Sequence, residues 1–199
     1  MTSPVRAPAT YADLEAVPEH PVAEIVFGQL VTHPMLPPRH GVAASGLTVI
    51  VGQPCQRANG GPGGWVMMNK PELHFGPHVV VPDIAGWRRE RLVGVVDKDF
   101  LEVPPDWACE LLSPATERID RRDRTRIYAA YGVSHLWFVN PLTQTLEVLR
   151  RQDERTWILL STFSGDEAVS AAPFDAITFP LGLLWPLDEP RSGSADSTN

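Results

Sequence analysis

The sequence predicts a mixed α/β (α+β) domain on three observations. Apolar runs of strand length outnumber helical ones, a helical stretch follows directly on a buried strand, and Gly and Pro mark the borders between them. At 199 residues, 43% hydrophobic and 21% charged, the chain suits one globular domain with a sizeable core. The expected division is an N-terminal arm over residues 1–10, a single domain over 11–186 and a disordered tail over 187–199, rich in Pro, Ser, Asp and Gly.

Thr10 precedes a short stretch to Glu15 that reads as a capped helix stopped near Pro18. Residues 23–32 read as two strands bent at Gly28, and 39–56 as a helix whose second half is weakened by Gly46, Gly52 and Pro54. After a glycine-rich turn over 59–64, residues 65–75 read as one strand and 79–85 as the next, joined through Gly76, Pro77 and His78. Residues 107–112 form a further strand. A helix should follow, with Thr116 as N-cap and Gly132 as stop. Residues 135–140 and 145–150 read as strands about a turn at Pro141, followed by strands over 157–163 and 176–179.

The net charge of −7 and pI near 5.3 argue against a protein coated for nucleic acid, but not against a local basic groove. Arginine supplies most of the positive charge, in clusters at 88–91, 118–126 and 150–155, and suits bidentate phosphate contacts. A solvated surface is the plainer reading of any one cluster. Cys55 and Cys109 match no zinc or redox spacing and read as reduced thiols of a cytoplasmic protein. Residues 1–10 lack a signal-like apolar core, and no segment has the apolar length of a membrane span. Phosphate-loop, serine-hydrolase-elbow and zinc-protease motifs do not occur.

Two acids interrupt two apolar runs: Asp83 follows Val79, Val80, Val81 and Pro82, and Glu110 lies between Cys109 and Leu111. A buried carboxylate is costly unless it is paired or binds a cation, and two neighbouring ones repel unless a cation lies between them. Metal-assisted chemistry on a phosphodiester is the functional reading. An acid capping a turn or pairing with arginine is the structural one. Alternation puts Glu110 on the face of Ala108 and Leu112, where a small neighbour leaves room. On the following helix, Asp120, Arg124, Ile127 and Tyr131 share a core-facing stripe, while Arg118, Arg122 and Arg126 share one that faces water. Glu72 and His74 share a strand face and could approach the acids. The tryptophans at 65, 87, 107, 137 and 157 read as core or rim aromatics.

The order of several short stretches carries a resemblance. These are Ala23–Glu24–Ile25, Arg39–His40, residues 72–77, Val81–Pro82–Asp83, residues 87–91, residues 104–107, residues 110–114 and residues 128–141. Together they resemble the bacterial Uma-type putative restriction endonuclease family of the PD-(D/E)XK nuclease superfamily, over residues 11–185. The resemblance implies a restriction-endonuclease-like mixed central sheet flanked by helices. It implies a Mg²⁺ (or Mn²⁺) site at Asp83 and Glu110, with Glu24 as accessory acid, hydrolysing phosphodiester bonds of nucleic acid, DNA being the expected partner. The superfamily lysine usually stands two residues after the second acid, where this chain has Leu112; in this family a lysine on the following helix looks like its replacement, and here that position is Arg124. Arginine holds charge but does not shuttle protons. The family also tends to have acids where Phe27 and Asn140 stand. The expected role is therefore a Mg²⁺-dependent endonuclease, with a catalytically degenerate DNA- or protein-binding module as the alternative. His40, Arg88, Arg122 and Arg126 are candidate substrate contacts. A homodimer is expected because cutting both strands takes two sites, with the hairpin over 135–149 as candidate interface.

Overall fold

The computed structural model describes residues 7–17, 22–33, 37–94 and 98–187. The arm through residue 6, the stop at Pro18 and the tail from residue 188 lie outside the described residues. The first elements are α1 (Tyr11–Glu15), β1 (Val22–Val26), β2 (Gln29–His33), α2 (Pro38–Gln56), β3 (Trp65–Asn69), β4 (Leu73–Phe75), β5 (His78–Val80) and β6 (Ile84–Arg88). After β7 (Trp107–Leu111) come α3 (Glu117–Ile119), a π turn (Asp120–Arg124), α4 (Thr125–Tyr131), β8 (His135–Asn140), β9 (Thr145–Arg151) and β10 (Trp157–Ser164). Two short strands, β11 (Ala168–Val169) and β12 (Phe179–Pro180), pair with each other. This is a mixed α/β fold, as expected. No helix among the described residues is long and apolar enough to cross a membrane.

A six-stranded sheet runs β10-β9-β8-β7-β6-β3, and a four-stranded one runs β2-β1-β5-β4. Within the larger sheet only β7 and β8 are parallel, joined by the helical crossover that parallel strands require. Alternation along β7 separates two cores. Trp107, Cys109 and Leu111 pack with Ala43, Leu47 and Val51 of α2, while Ala108 and Leu112 pack with Ile127 and Tyr128 of α4 and with Phe75 and Val80 of the smaller sheet. Inward residues of α2 recur at His40, Ala43, Leu47, Val51 and Pro54, a helical spacing that keeps the helix intact past its glycines. Cys55 and Cys109 are buried free thiols.

Several expected elements are corrected. The strand expected over 65–75 is two, in different sheets: Lys70 has φ +48 and Pro71 follows, so the chain turns between β3 and β4. The strand over 79–85 is likewise two, because Pro82 has no N–H for a ladder, and Asp83 sits in the break where the chain passes from the smaller sheet to the larger. Thr116 is not an N-cap by side chain: it has helical dihedrals, and Ser113 Oγ accepts the Thr116 N–H at 3.3 Å. The helix to Gly132 is interrupted by the π turn. Only Phe179 of the strand expected over 176–179 is in a ladder. Trp65, Trp87, Trp107 and Trp137 are fully buried, and Trp157 is half-buried.

Trp107, Trp137 and Phe174 meet edge to face at ring separations of 4.9–5.6 Å, with Trp65 tilted on Phe174 at 4.8 Å. Gly86 of β6 makes room for this cluster. A Cβ there would lie 2.8 Å from Met67 Sδ, 3.2 Å from Trp107 and 3.4 Å from Trp65. Gly86→Ala is expected to cost about 1–2 kcal/mol by overpacking, read as a lower urea midpoint at unchanged slope.

Candidate functional site

The two sheets bring their acids to one place. Glu24 comes from β1 and is fully buried. Its Oε1 accepts the Val81 N–H at 2.6 Å, and its Oε2 meets His33 Nε2 and Arg124 Nη2, each at 2.6 Å. Glu110, on the α4 side of β7, is also fully buried. Its Oε2 accepts from Arg124 Nη1 at 2.6 Å, and its Oε1 accepts a short hydrogen bond from the Tyr128 hydroxyl. One guanidinium thus ties an acid of the smaller sheet to an acid of the larger. Arg124 Nη1 also stands 3.2 Å from Asp120 Oδ1, without hydrogen-bonding geometry, so this buried oxygen has only a charge for company.

The β6–β7 register pairs Ile84 with Cys109, and continuing it by one residue sets Asp83 across from Glu110 on the same face. Asp83 Oδ2 accepts the Leu111 N–H at 2.8 Å. His40 Nε2 lies 3.5 Å from the same oxygen, too far for a good hydrogen bond, and finds no other partner. Lys70 Nζ lies 3.9 Å from Asp83 Oδ1. A small cavity of about 20 Å³ opens here, bordered by Asp83, Asp120, Arg124, His33 and Lys70. That is room for one water-sized occupant.

The charges explain the proton affinities. Burial pushes the Glu24 carboxyl up, but Arg124, His33 and the Val81 N–H together hold it below its ordinary value. Burial likewise raises Asp83, and His40, the Leu111 N–H and Arg124 outweigh it. Burial pushes Glu110 well up against the pull of Arg124, with Asp120 and Asp83 adding repulsion. Its two donors nonetheless supply the pattern of an ionised carboxylate, and a proton there would displace one of them. Asp120 is the surplus acid: burial, opposed by Arg124, pushes it up to about 6. Burial alone would lower Arg124, but Glu110, Glu24 and Asp120 keep it charged.

The structure therefore brings together Asp83, Glu110, Glu24, Arg124 and His40. It does not bring Arg88 to them: that residue ends β6 five residues from Asp83, its guanidinium 4.2 Å over the Trp65 ring. Arg122 is exposed and pairs with Asp123, and Arg126 lies over Phe27 at 4.8 Å. Glu72 and His74 do not approach the acids. Glu72 Oε1 meets His74 Nε2 and accepts from the Tyr11 hydroxyl, with His74 stacked on Phe100. Sequence reasoning missed His33, Lys70 and Tyr128. The first two meet the acids only through strand register. Tyr128 lies four residues beyond Arg124, a helical spacing that could have found it.

Among the described residues, no group of three or more His, Cys, Asp or Glu side chains is arranged to hold a metal ion. Mg²⁺ needs fewer, taking one or two carboxylates and keeping several waters. Asp83 and Glu110 are two carboxylates on one face, but only Asp83 borders the small cavity. Both oxygens of the fully buried Glu110 are engaged by Arg124 and Tyr128, so Glu110 reaches a cation only by giving up one of these partners.

The fold is nuclease-like. A crystal structure of a putative nuclease belonging to DUF820, from Anabaena variabilis, superposes with a TM-score of 0.72 at 21% identity, over 89% of this chain and 98% of that one. The family model described as putative restriction endonuclease matches residues 8–182, and the chain belongs to that family, Uma2. No curated protein matches the chain.

Proposed function

We propose that the protein is a cytoplasmic endonuclease that hydrolyses phosphodiester bonds of DNA with the help of Mg²⁺ or Mn²⁺. The observation that supports this best is that register sets Asp83 across from Glu110 on one face, with Asp83 bordering a small cavity. A divalent cation held there supplies a polarised water and offsets charge on the phosphate. Asp83 is ready for this role, because neighbouring donors already favour its ionised form. Arg124 fixes the direction of Glu110 and neutralises the buried acids. Lys70, half exposed at the rim, is a cation that can turn to a phosphate oxygen.

The test is relaxation of supercoiled plasmid by the full chain with Mg²⁺ or Mn²⁺. Cutting is expected from the wild type and not from Asp83→Ala. Equal cutting by both would remove Asp83 from the chemistry. A second reading is favoured by the engagement of Arg124: a guanidinium already shared by Glu24 and Glu110 suits a degenerate module that binds DNA or protein without cutting. An inert wild type that retains DNA affinity would select it.

The proposed homodimer needs a different surface from the hairpin over 135–149. In that hairpin β8 is central and buried, and β9 is already paired on both sides. One edge of the larger sheet is β10, where Ile158, Leu159 and Leu160 are exposed.

A further inference from the structure

A second cavity, apart from the one at Asp83, has a volume of about 610 Å³, within the range of small-molecule sites. Phe27, His78 and Tyr131 supply its aromatic walls, and Arg126 and Arg155 its charge, with Glu154 the one acid at the rim. We propose that this cavity binds an unpaired nucleobase of a DNA strand, stacked on Phe27. The proposal rests on the nuclease reading above and extends it to the form of the substrate.

Phe27 is the centre of the argument. It is a large apolar side chain left 44% exposed at the β1–β2 turn. Its φ is +48, where a bulky residue is strained and glycine or asparagine would be at ease. The chain thus holds an aromatic ring outward at a position where its backbone disfavours one. The Arg126 guanidinium lies 4.8 Å over that ring, and His78 meets it edge to face at 4.9 Å. An open aromatic ring with arginine alongside is a sequence-tolerant platform for bases.

His78 adds a polar reader. Its Nδ1 faces the Phe27 N–H at 3.2 Å and must accept that bond. Burial lowers its proton affinity, so the ring is neutral and Nε2 carries the remaining hydrogen. A base edge presents acceptors for such a donor.

The base must be unpaired, because a stacked duplex hides the faces that Phe27 would cover. Phe27 follows the end of β1, the strand that carries Glu24, and Arg126 lies on the water-facing side of the helical segment whose buried side carries Arg124.

The experiment is binding of fluorescein-labelled dT12 to the full chain in EDTA. It is compared with the same strand paired to its complement, and with a strand of abasic residues. The dT12 strand should bind more tightly than either. Phe27→Ala should weaken it about 10- to 100-fold, and Phe27→Trp should retain it. Phe27→Gly should bind as weakly as alanine while melting no lower than wild type, since glycine relieves the turn; this separates lost stacking from lost folding. Competition by thymidine monophosphate would assign the same chemistry to a free nucleotide, and no competition would assign it to a base within a strand. Equal affinity for the abasic strand, or wild-type affinity in Phe27→Ala, would overturn the cavity. If Asp83→Ala then still abolishes plasmid cutting, the nuclease reading stands without it. If the plasmid is never cut but Phe27→Ala loses dT12, the cavity stands and the nuclease reading falls.

Discussion

Arg124→Ala should lower the free energy of unfolding by about 3–5 kcal/mol, the cost of removing one partner from a buried charge cluster. Arg124 is 5% exposed, and it is the guanidinium that meets Glu24 and Glu110 at 2.6 Å and stands by Asp120. Without it, these acids lose their shared counter-charge and must take up protons or unpair. Urea unfolding at pH 7 reads the loss directly. A change below about 1 kcal/mol would mean that water reaches the cluster and the burial argument fails. Cleavage should fall with stability but for a separate reason: a charge that acts at the transition state is worth about 10²–10³ in rate. Arg124→Lys separates the two. A lysine is a point charge that cannot hold both acids in a fork, so its stability should lie between wild type and alanine. Its cleavage should match or exceed that of wild type if positive charge near Asp83 and Glu110 is what the reaction needs.

Asp120→Asn should act in the opposite direction and stabilise the protein at neutral pH. The folded chain holds the Asp120 proton up to about pH 6, against an ordinary value of 3.8. Between those two values the folded state binds more protons than the unfolded one. Stability from this group is therefore fully present below about pH 4, is lost as pH rises toward 6, and stays level above. A shift of that size corresponds to about 3 kcal/mol as an upper figure. Glu24 and Asp83 titrate with the opposite sign, their contributions fading as pH falls below the ordinary carboxylate range. The difference between Asp120→Asn and wild type isolates the one group. It should be near zero at pH 4 and roughly 1–3 kcal/mol in favour of the variant at pH 7, measured in EDTA. A variant less stable than wild type at pH 7 would show that Asp120 is a needed partner of Arg124.

Much of this cluster was legible because two periodicities agree. Alternation in β7 turns Ala108, Glu110 and Leu112 one way, and the core groups them with Ile127 and Tyr128 on that side. The spacing of Asp120, Arg124 and Ile127 faces the same space. Asp83 was legible as an acid in an apolar run, but not as a break in it. Whether Pro82 ends a strand or merely edges one depends on what pairs with it, and pairing is long-range. Lys70 and His33 were hidden for the same reason: each reaches the acids through register, Lys70 beside Asp83 across β3 and β6, and His33 beside Glu24 across the β1–β2 hairpin. The π turn was also unreadable. Residues 120–124 (DRRDR) carry no local mark that the ladder widens there, yet the widening sits on the turn that delivers Arg124.

The double grip of Arg124 has a mechanical side. Glu24 belongs to one sheet and Glu110 to the other, so the guanidinium works as a rivet through the seam between them. Anything that draws Glu110 away loosens the rivet and slackens the whole joint, and anything that restores the grip tightens it again. The stiffness of the seam and the readiness of the acids are thereby one property. A substitution far out on either sheet that lets the joint yield would make Glu110 easier to capture without touching it.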